Sequence, residues 1–438
     1  MRNGARAQAA IEILTDMETR KRPAADAVRD WMVSHRFAGS KDRAEIGDTV
    51  FGALRWKASS TYRFGDDSPR AWVWGAQRFG FGVEADAIIT ACADPHAPPP
   101  PGDGEREVLF ARTPASRLEG APLWVVGDYP EWLDPSMTRA FGDDRGVEGD
   151  ALAAPAPLDL RANTLKASRE KVIAALGESP RLNAAPLETP YATDGVRIPW
   201  AQGRTFPWAT EQAFVKGWFE VQDEGSQIAA QLVDARPGMQ VADVCAGGGG
   251  KALALAAAMQ NKGQIYAFDV DGRRLAPLHA RMERAGVRNV QVRAPSRTRD
   301  VLEDLRARMD LVLVDAPCSG SGTWRRAPDT KWRLRPNALA MRIEEQTQAL
   351  DLAAPLVRPG GRLVYVTCSV LPEENEDAIA RFLARKPQFS AIGLSAPTAE
   401  LGGLIDACKQ DARATRIQLT PRRAGCDGFF IAALQRAG

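Results

Sequence analysis

Apolar residues in the first ninety positions recur every three or four places: Ile11, Leu14 and Met17, then Val28 and Trp31, then Ile46, Val50 and Leu54. That spacing lays one apolar stripe along a helix, so the pattern predicts a small helical bundle. Ser40 and Asp42 precede the third stretch as candidate caps. Residues 95–104, ending Ala-Pro-Pro-Pro-Pro-Gly-Asp-Gly, cannot continue a helix and predict a linker or exposed loop. Between 120 and 225 short β-rich runs (158–160) are mixed with a helical run (168–176), an α+β pattern. From Gln227 onward the pattern changes. Apolar runs at 241–244, 264–268, 290–293, 310–314 and 361–366 alternate with helical runs, which predicts a parallel sheet flanked by helices. The fold expectation is α/β in three domains: 1–115 helical, 116–225 small α+β, and 226–438 Rossmann-like.

Composition adds exclusions. The 438 residues are 45% hydrophobic and 26% charged, which fits a globular protein. No run of eighteen apolar residues exists and no apolar signal core follows the basic N-terminus, so no membrane partner and a cytoplasmic location are expected. The net charge of +2 says nothing about nucleic acid, because only a local basic face is needed to neutralise phosphates. Cysteines at 92, 245, 318, 368, 408 and 426 share no C-x-x-C spacing, and the histidines at 35, 96 and 279 are scattered. No metal site and no disulfide framework are expected. Cys92, Cys408 and Cys426 read as small buried hydrophobes.

The run at 241–244 leads into Cys245-Ala246-Gly247-Gly248-Gly249-Gly250-Lys251 and then an Ala/Leu helix. A strand, a glycine turn and a helix in that order bring backbone amides and a helix N-terminus close to a ligand. A P-loop is excluded, since Cys245 stands where its first glycine would be and Ala252 replaces the hydroxyl residue that holds magnesium. Asp269 ends the next strand, 22 residues after Gly247, where a carboxylate can accept from both ribose hydroxyls of an adenosine ligand. Nicotinamide and adenosylmethionine enzymes share this geometry. The first class predicts a Tyr-x-x-x-Lys or a histidine pairing, and neither occurs.

Two further motifs follow strands: Asp315-Ala-Pro-Cys318-Ser-Gly-Ser-Gly-Thr and Thr367-Cys368-Ser-Val-Leu-Pro-Glu-Glu-Asn-Glu. Both cysteines lie just beyond the carboxyl ends of parallel strands, the edge where open α/β sheets bind ligands. Two thiols on adjacent crests can face one pocket, although position alone does not say which attacks.

Taken with Asp243-Val-Cys-Ala-Gly-Gly-Gly-Gly-Lys251, Asp269-Val-Asp-Gly-Arg-Arg-Leu275, Arg326-Ala-Pro-Asp-Thr-Lys-Trp332 and Asp427-Gly-Phe-Phe430, these motifs give a specific likeness over about the last 210 residues. The chain resembles the Sun/RsmB (Fmu) family of rRNA cytosine-5 methyltransferases, within the NOL/NOP/Sun class. Weaker likeness upstream, from Lys41-Asp-Arg to Gly52-Ala-Leu-Arg55, resembles the family's NusB-like RNA-binding domain. Tyr129-Pro-Glu-Trp-Leu133, Leu160-Arg-Ala-Asn163 and Val221-Gln-Asp-Glu-Gly-Ser226 resemble its middle RNA-binding domain.

The resemblance implies a seven-stranded methyltransferase domain with a late antiparallel strand at 428–434, S-adenosylmethionine as cofactor and 16S rRNA as substrate, with tRNA second. A monomer is expected. It assigns nucleophilic attack to Cys368 and product release to Cys318. Cofactor contact falls to 245–251, Asp269, Arg274 and Asp315. Cytosine carbon 5 is a poor nucleophile, and a thiolate adding at carbon 6 turns the ring into an enamine. After methylation a base must remove the carbon-5 proton so that the thiol can leave. Asp315 would stabilise the adduct near the ring's nitrogen 3. The sequence departs from the family where an acid usually follows the third strand near the adenine, because Ala294-Pro-Ser296-Arg stands there. A last expectation concerns Trp324-Arg-Arg-Ala-Pro-Asp-Thr-Lys-Trp-Arg-Leu-Arg335, five basic residues with two tryptophans around one acid. Arg325, Arg326 and Lys331 are expected to meet RNA phosphates, while the tryptophans either stack on bases or anchor the loop.

Overall fold

The computed structural model describes residues 1–111 and 118–438, which divide into two compact units. The first is Met1–Ala154 with Trp324–Leu334, and the second is Pro155–Thr323 with Arg335–Gly438. The boundary expected between 115 and 116 lies outside the described residues. The chain on both sides of it belongs to the first unit, so the helical region is longer than expected. None of the helices among the described residues is long and apolar enough to cross a membrane.

In the first unit the three-and-four spacing does form helices, at Asn3–Arg20, Ala24–Ser34 and Ser40–Arg55. Ile13, Leu14, Ile46, Val50 and Leu54 are buried with Trp72 and Trp74 in one core. Gly39, not Ser40, caps the third helix, and the Asp42 carboxylate accepts from the Gly39 amide at 3.3 Å. Asp42 also pairs with Arg6 at 2.9 Å and with the terminal ammonium, which ties the first helix to the third. The proline-rich stretch is irregular as expected but separates no domains. It runs into a helix at Asp103–Leu109 of the same unit.

The second unit carries two sheets. The smaller is antiparallel, with β1 (Leu158–Ala162), β2 (Leu187–Glu188), β3 (Gly195–Ile198) and β4 (Phe219–Val221) in the order β2-β3-β1-β4. The larger begins with five parallel strands, β5 (Gln240–Asp243), β6 (Gln264–Phe268), β7 (Val290–Arg293), β8 (Met309–Asp315) and β9 (Val357–Thr367). Helices between them cover both faces, so interior strands such as β8 are buried nearly throughout. Three more strands complete the sheet: β12 (Phe429–Arg436), antiparallel to β9, with β10 (Phe389–Ile392) and β11 (Arg416–Leu419) each antiparallel to β12. The order is β10-β12-β9-β8-β5-β6-β7, with β11 also paired to β12. β12 is the late antiparallel strand expected at 428–434. One edge of β12 is shared, Phe429 to Ala432 pairing β11 and Ala433 to Arg436 pairing β10. Seven strands lie on the sheet's path, as expected, and β11 adds to it only by sharing that edge with β10.

The strand order reverses between β5 and β8, where crossovers leave in opposite directions. A crevice opens there beyond the carboxyl ends of the strands. Asp243, Asp269, Asp315 and Thr367 stand at or just past the ends of β5, β6, β8 and β9, so four chemistry-bearing loops converge on it.

Candidate active site

The loop after β5 owes its shape to its glycines. Gly247 and Gly249 have φ of 50° and 81°, the left-handed region that only glycine adopts without strain. A Cβ on Gly249 would stand 2.1 Å from Leu278 Cδ1, so the loop packs directly on the helix Gly272–Ala285. From that helix Arg281 donates to the Gly248 carbonyl at 2.7 Å while pairing with Glu220 of β4 at 2.9 Å. The small sheet thereby braces the glycine loop of the large one. Asp269 is 1% exposed, accepts from the Gly247 amide at 3.1 Å and pairs with Arg274 at 3.2 Å.

Lys251 opens the helix Gly250–Ala258 and is buried, with its ammonium 2.8 Å from Asp315 Oδ2. Beneath this pair lies Asp243, fully buried, whose carboxyl is pushed up to about 7 by burial first and by the nearby Asp315 charge second. Burial likewise pushes the Cys245 thiol well above its ordinary range.

The register of β8 with β9 sets Asp315 opposite Val366, so Cys318 and Cys368 leave adjacent strands at nearly the same height. Their sulfurs are 3.3 Å apart. The hydrogen bond to Cys368 and then burial hold the Cys318 thiol well above its usual range. One cavity of about 620 Å³ is lined by Cys245, the glycine loop, Lys251, Arg274, Asp315, Cys318 and Cys368. The expected catalytic and cofactor-loop residues are therefore brought together, and Asp269 lies directly behind Gly247.

Two groups were given no role from the sequence. Gln222, inside the quoted Val221–Ser226 motif, and Arg281 and Arg342, which nothing local marks, line the same cavity from the end of β4 and from two helices. Glu374, Gln346, Ser319 and Ser369 form a buried network under the two cysteines. The Glu-Glu-Asn-Glu run after Cys368 was the available signal for that network. Where no acid follows β7 directly, Ser296 lines a small cavity of about 160 Å³ together with Phe268, Pro295 and Asp300.

The basic stretch at 324–335 needs correction. Trp324 and Lys331 are 2% and 1% exposed, and Arg325 is 4% exposed. The Lys331 ammonium donates to the carbonyls of Arg55, at 2.8 Å, and Asp128. Trp332 packs on the helical core and donates to the Leu54 carbonyl at 2.6 Å. Arg55 in turn donates to the Arg325 carbonyl. Burial drives Lys331 down and Asp128 up, both towards the neutral form. A lysine in this position has no face for a phosphate, and only Arg326 of the three expected RNA-contacting cations is exposed.

Comparison with known proteins agrees with this geometry. Residues 230–435 match the family model for 16S rRNA methyltransferase RsmB/F. The probable ribosomal RNA small subunit methyltransferase B of Synechocystis sp. is 33% identical over 315 residues, 70% of this chain and 67% of that protein. The ribosomal RNA small subunit methyltransferase B of Erwinia tasmaniensis is 35% identical over 309 residues, 70% of this chain and 66% of its own length. The matched segment thus spans about two thirds of these relatives. The crystal structure of PH0851 superposes over 100% of both chains, with a TM-score of 0.72 and 26% identity. A match of this identity and coverage, on a crest that carries the family's motifs in order, places the chain in the RsmB/F family of 16S rRNA methyltransferases.

Proposed function

We propose that the chain transfers a methyl group from S-adenosylmethionine to carbon 5 of a cytosine in small-subunit rRNA, through a covalent bond between Cys368 and carbon 6. The observation that best supports this reading is the pair of sulfurs 3.3 Å apart on neighbouring strand ends, over the cavity that the glycine loop also lines. One thiol would suffice for an alkylation, whereas attack at carbon 6 followed by elimination needs a nucleophile and a base.

The residues suit the cofactor. The glycine loop and the start of the helix Gly250–Ala258 would receive its carboxylate end, and Asp269, behind Gly247, would accept from its ribose hydroxyls. When bound, S-adenosylmethionine supplies an electrophilic methyl. Cys368 attacks carbon 6 as the ring's electrons move towards nitrogen 3. Asp315, held by Lys251, would stabilise the adduct near that nitrogen. Cys318, once its own proton has passed to solvent, takes the carbon-5 proton as a thiolate, and the Cys368 sulfur leaves with the electrons of its bond to carbon 6. The target base must be unpaired or flipped out to enter such a cavity.

The test is transfer of radiolabelled methyl from S-adenosylmethionine to purified 16S rRNA and, separately, to bulk tRNA. Label in 5-methylcytosine of 16S rRNA, absent with Cys368→Ala, is expected. Label only in tRNA would move the substrate assignment, and no label in either RNA would contradict the proposed reaction.

A further inference from the structure

Glu374 takes no part in the reaction just described, yet it is 0% exposed and meets four donors. Its Oε1 accepts from the Ser319 amide at 2.7 Å and from Gln346 Nε2 at 3.0 Å. Its Oε2 accepts from the hydroxyls of Ser319 and Ser369. Ser319 directly follows Cys318, and Ser369 directly follows Cys368. A single carboxylate therefore grips the residue next to each thiol, from beneath the crest.

The surrounding bonds make this a rigid tie. Gln346, on the helix Pro336–Ala353, also donates to the Pro317 carbonyl at 3.0 Å, one residue before Cys318. Ser321 donates to Ser369 at 2.9 Å and accepts from the Val370 amide at 2.9 Å, a second bridge between the two loops. The Gly322 amide donates to the Cys368 carbonyl at 2.9 Å. Tyr365 of β9 donates to the backbone carbonyl of Glu374 at 2.7 Å, which holds the carboxylate's own segment against the sheet. Burial of a carboxylate on this scale is tolerated only because its lone pairs are occupied. Two loops that leave separate strands with flexible Ser-Gly-Ser-Gly and Ser-Val-Leu-Pro sequences have no local reason to keep their thiols in contact.

We propose that Glu374 is a positioning residue which, by clamping Ser319 and Ser369 together, fixes the juxtaposition of the Cys318 and Cys368 sulfurs. It acts through geometry. A glutamine can replace it, since its oxygen takes the amide contacts and the serine hydroxyls rotate to accept from its nitrogen. The proposal rests on the reading that both thiols serve one reaction.

Two readouts test it on the full-length protein, using wild type, Glu374→Ala, Glu374→Gln and the double variant Ser319→Ala/Ser369→Ala. The first needs no RNA. Diamide converts two adjacent thiols to a disulfide, taking both hydrogens onto its own nitrogens, and the Cys318–Cys368 peptide is followed by mass spectrometry. Wild type and Glu374→Gln are expected to cross-link fastest, with Glu374→Ala and the serine double variant about tenfold slower. The second is methyl transfer, where misplacement by about an ångström predicts a loss of kcat of about 10²-fold for those two variants. KM for S-adenosylmethionine should be unchanged, and Glu374→Gln should restore most of kcat. If Glu374→Ala does not fold, the serine double variant, which keeps the carboxylate and cuts the tie, decides alone. Cross-linking and kcat at wild-type levels in the variants without the tie would overturn the proposal. So would a Glu374→Gln variant as impaired as Glu374→Ala, because charge would then be the active property. If wild type methylates no RNA, the proposed function fails while the cross-linking comparison still reports on the tie.

Discussion

Residues 315–323 and 324–334 are consecutive on the chain and both are dense in groups that could do chemistry, but they end in opposite surroundings. The first stretch carries Asp315 and Cys318 on the rim of a cavity in the second unit. The second stretch belongs to the helical unit, where Trp332 packs on the core and Trp324 and Lys331 are buried. In the first, polar atoms are satisfied within the same unit by Lys251 and by Ser369 and Glu374 of the loop after β9, and the thiols line the cavity. In the second, the partners are backbone carbonyls of Arg55 and Asp128, 276 and 203 positions away. Residue type tells what a group can do. Whether it faces solvent is decided by partners that no local pattern names.

The contrast can be broken most forcefully at Trp324. Replacing this indole by alanine removes a fully buried aromatic and should destabilise the helical unit by about 3–5 kcal/mol, read as a fall in Tm. A base-stacking tryptophan would instead leave Tm nearly unchanged and weaken RNA binding. Next in size is Gly249→Ala, which forces a left-handed backbone and a clash with Leu278 in the glycine loop. Affinity for S-adenosylmethionine should drop about tenfold by calorimetry, since such a conformation costs a side-chain residue about 1–2 kcal/mol.

Lys331→Met sharpens the comparison from the electrostatic side. Removing a phosphate-binding lysine would flatten the salt dependence of RNA affinity by a slope of about 0.9. With Lys331 buried on carbonyls, the slope should stay as in wild type. The smallest expected effect is a pH dependence at Asp243. Its carboxyl titrates at about 7 when folded against 3.8 unfolded, so between these values the folded chain holds a proton that the unfolded chain has lost. The stability contributed is therefore full at low pH and lost as pH rises through about 7. Between pH 5 and pH 8, Tm of wild type should decline relative to that of Asp243→Asn.

The parts of the fold that sequence made legible are those with local causes. The alternation of apolar runs and helices marked β5 to β9, the glycine run marked a loop that only glycine can form, and strand-end positions put both cysteines on one rim. Less legible were features set by distant pairing. β11 and β10 share one edge of β12, and nothing in 416–419 announces that register. Glu374 reads as one acid in an acidic run, and its importance arises only when Ser319 arrives from a strand 55 residues earlier. Arg325 and Lys331 looked like a basic surface because the groups around them, such as the Arg55 and Asp128 carbonyls that accept from Lys331, lie far away in sequence.

The central claim is that the two sulfurs act in sequence, Cys368 forming the bond to RNA and Cys318 ending it. Incubating Cys318→Ala with 16S rRNA and S-adenosylmethionine, then denaturing, tests it directly. A methylated RNA–protein adduct that survives denaturation, attached through Cys368, is the predicted result. An adduct that accumulates with Cys368→Ala instead, attached through Cys318, would contradict the account.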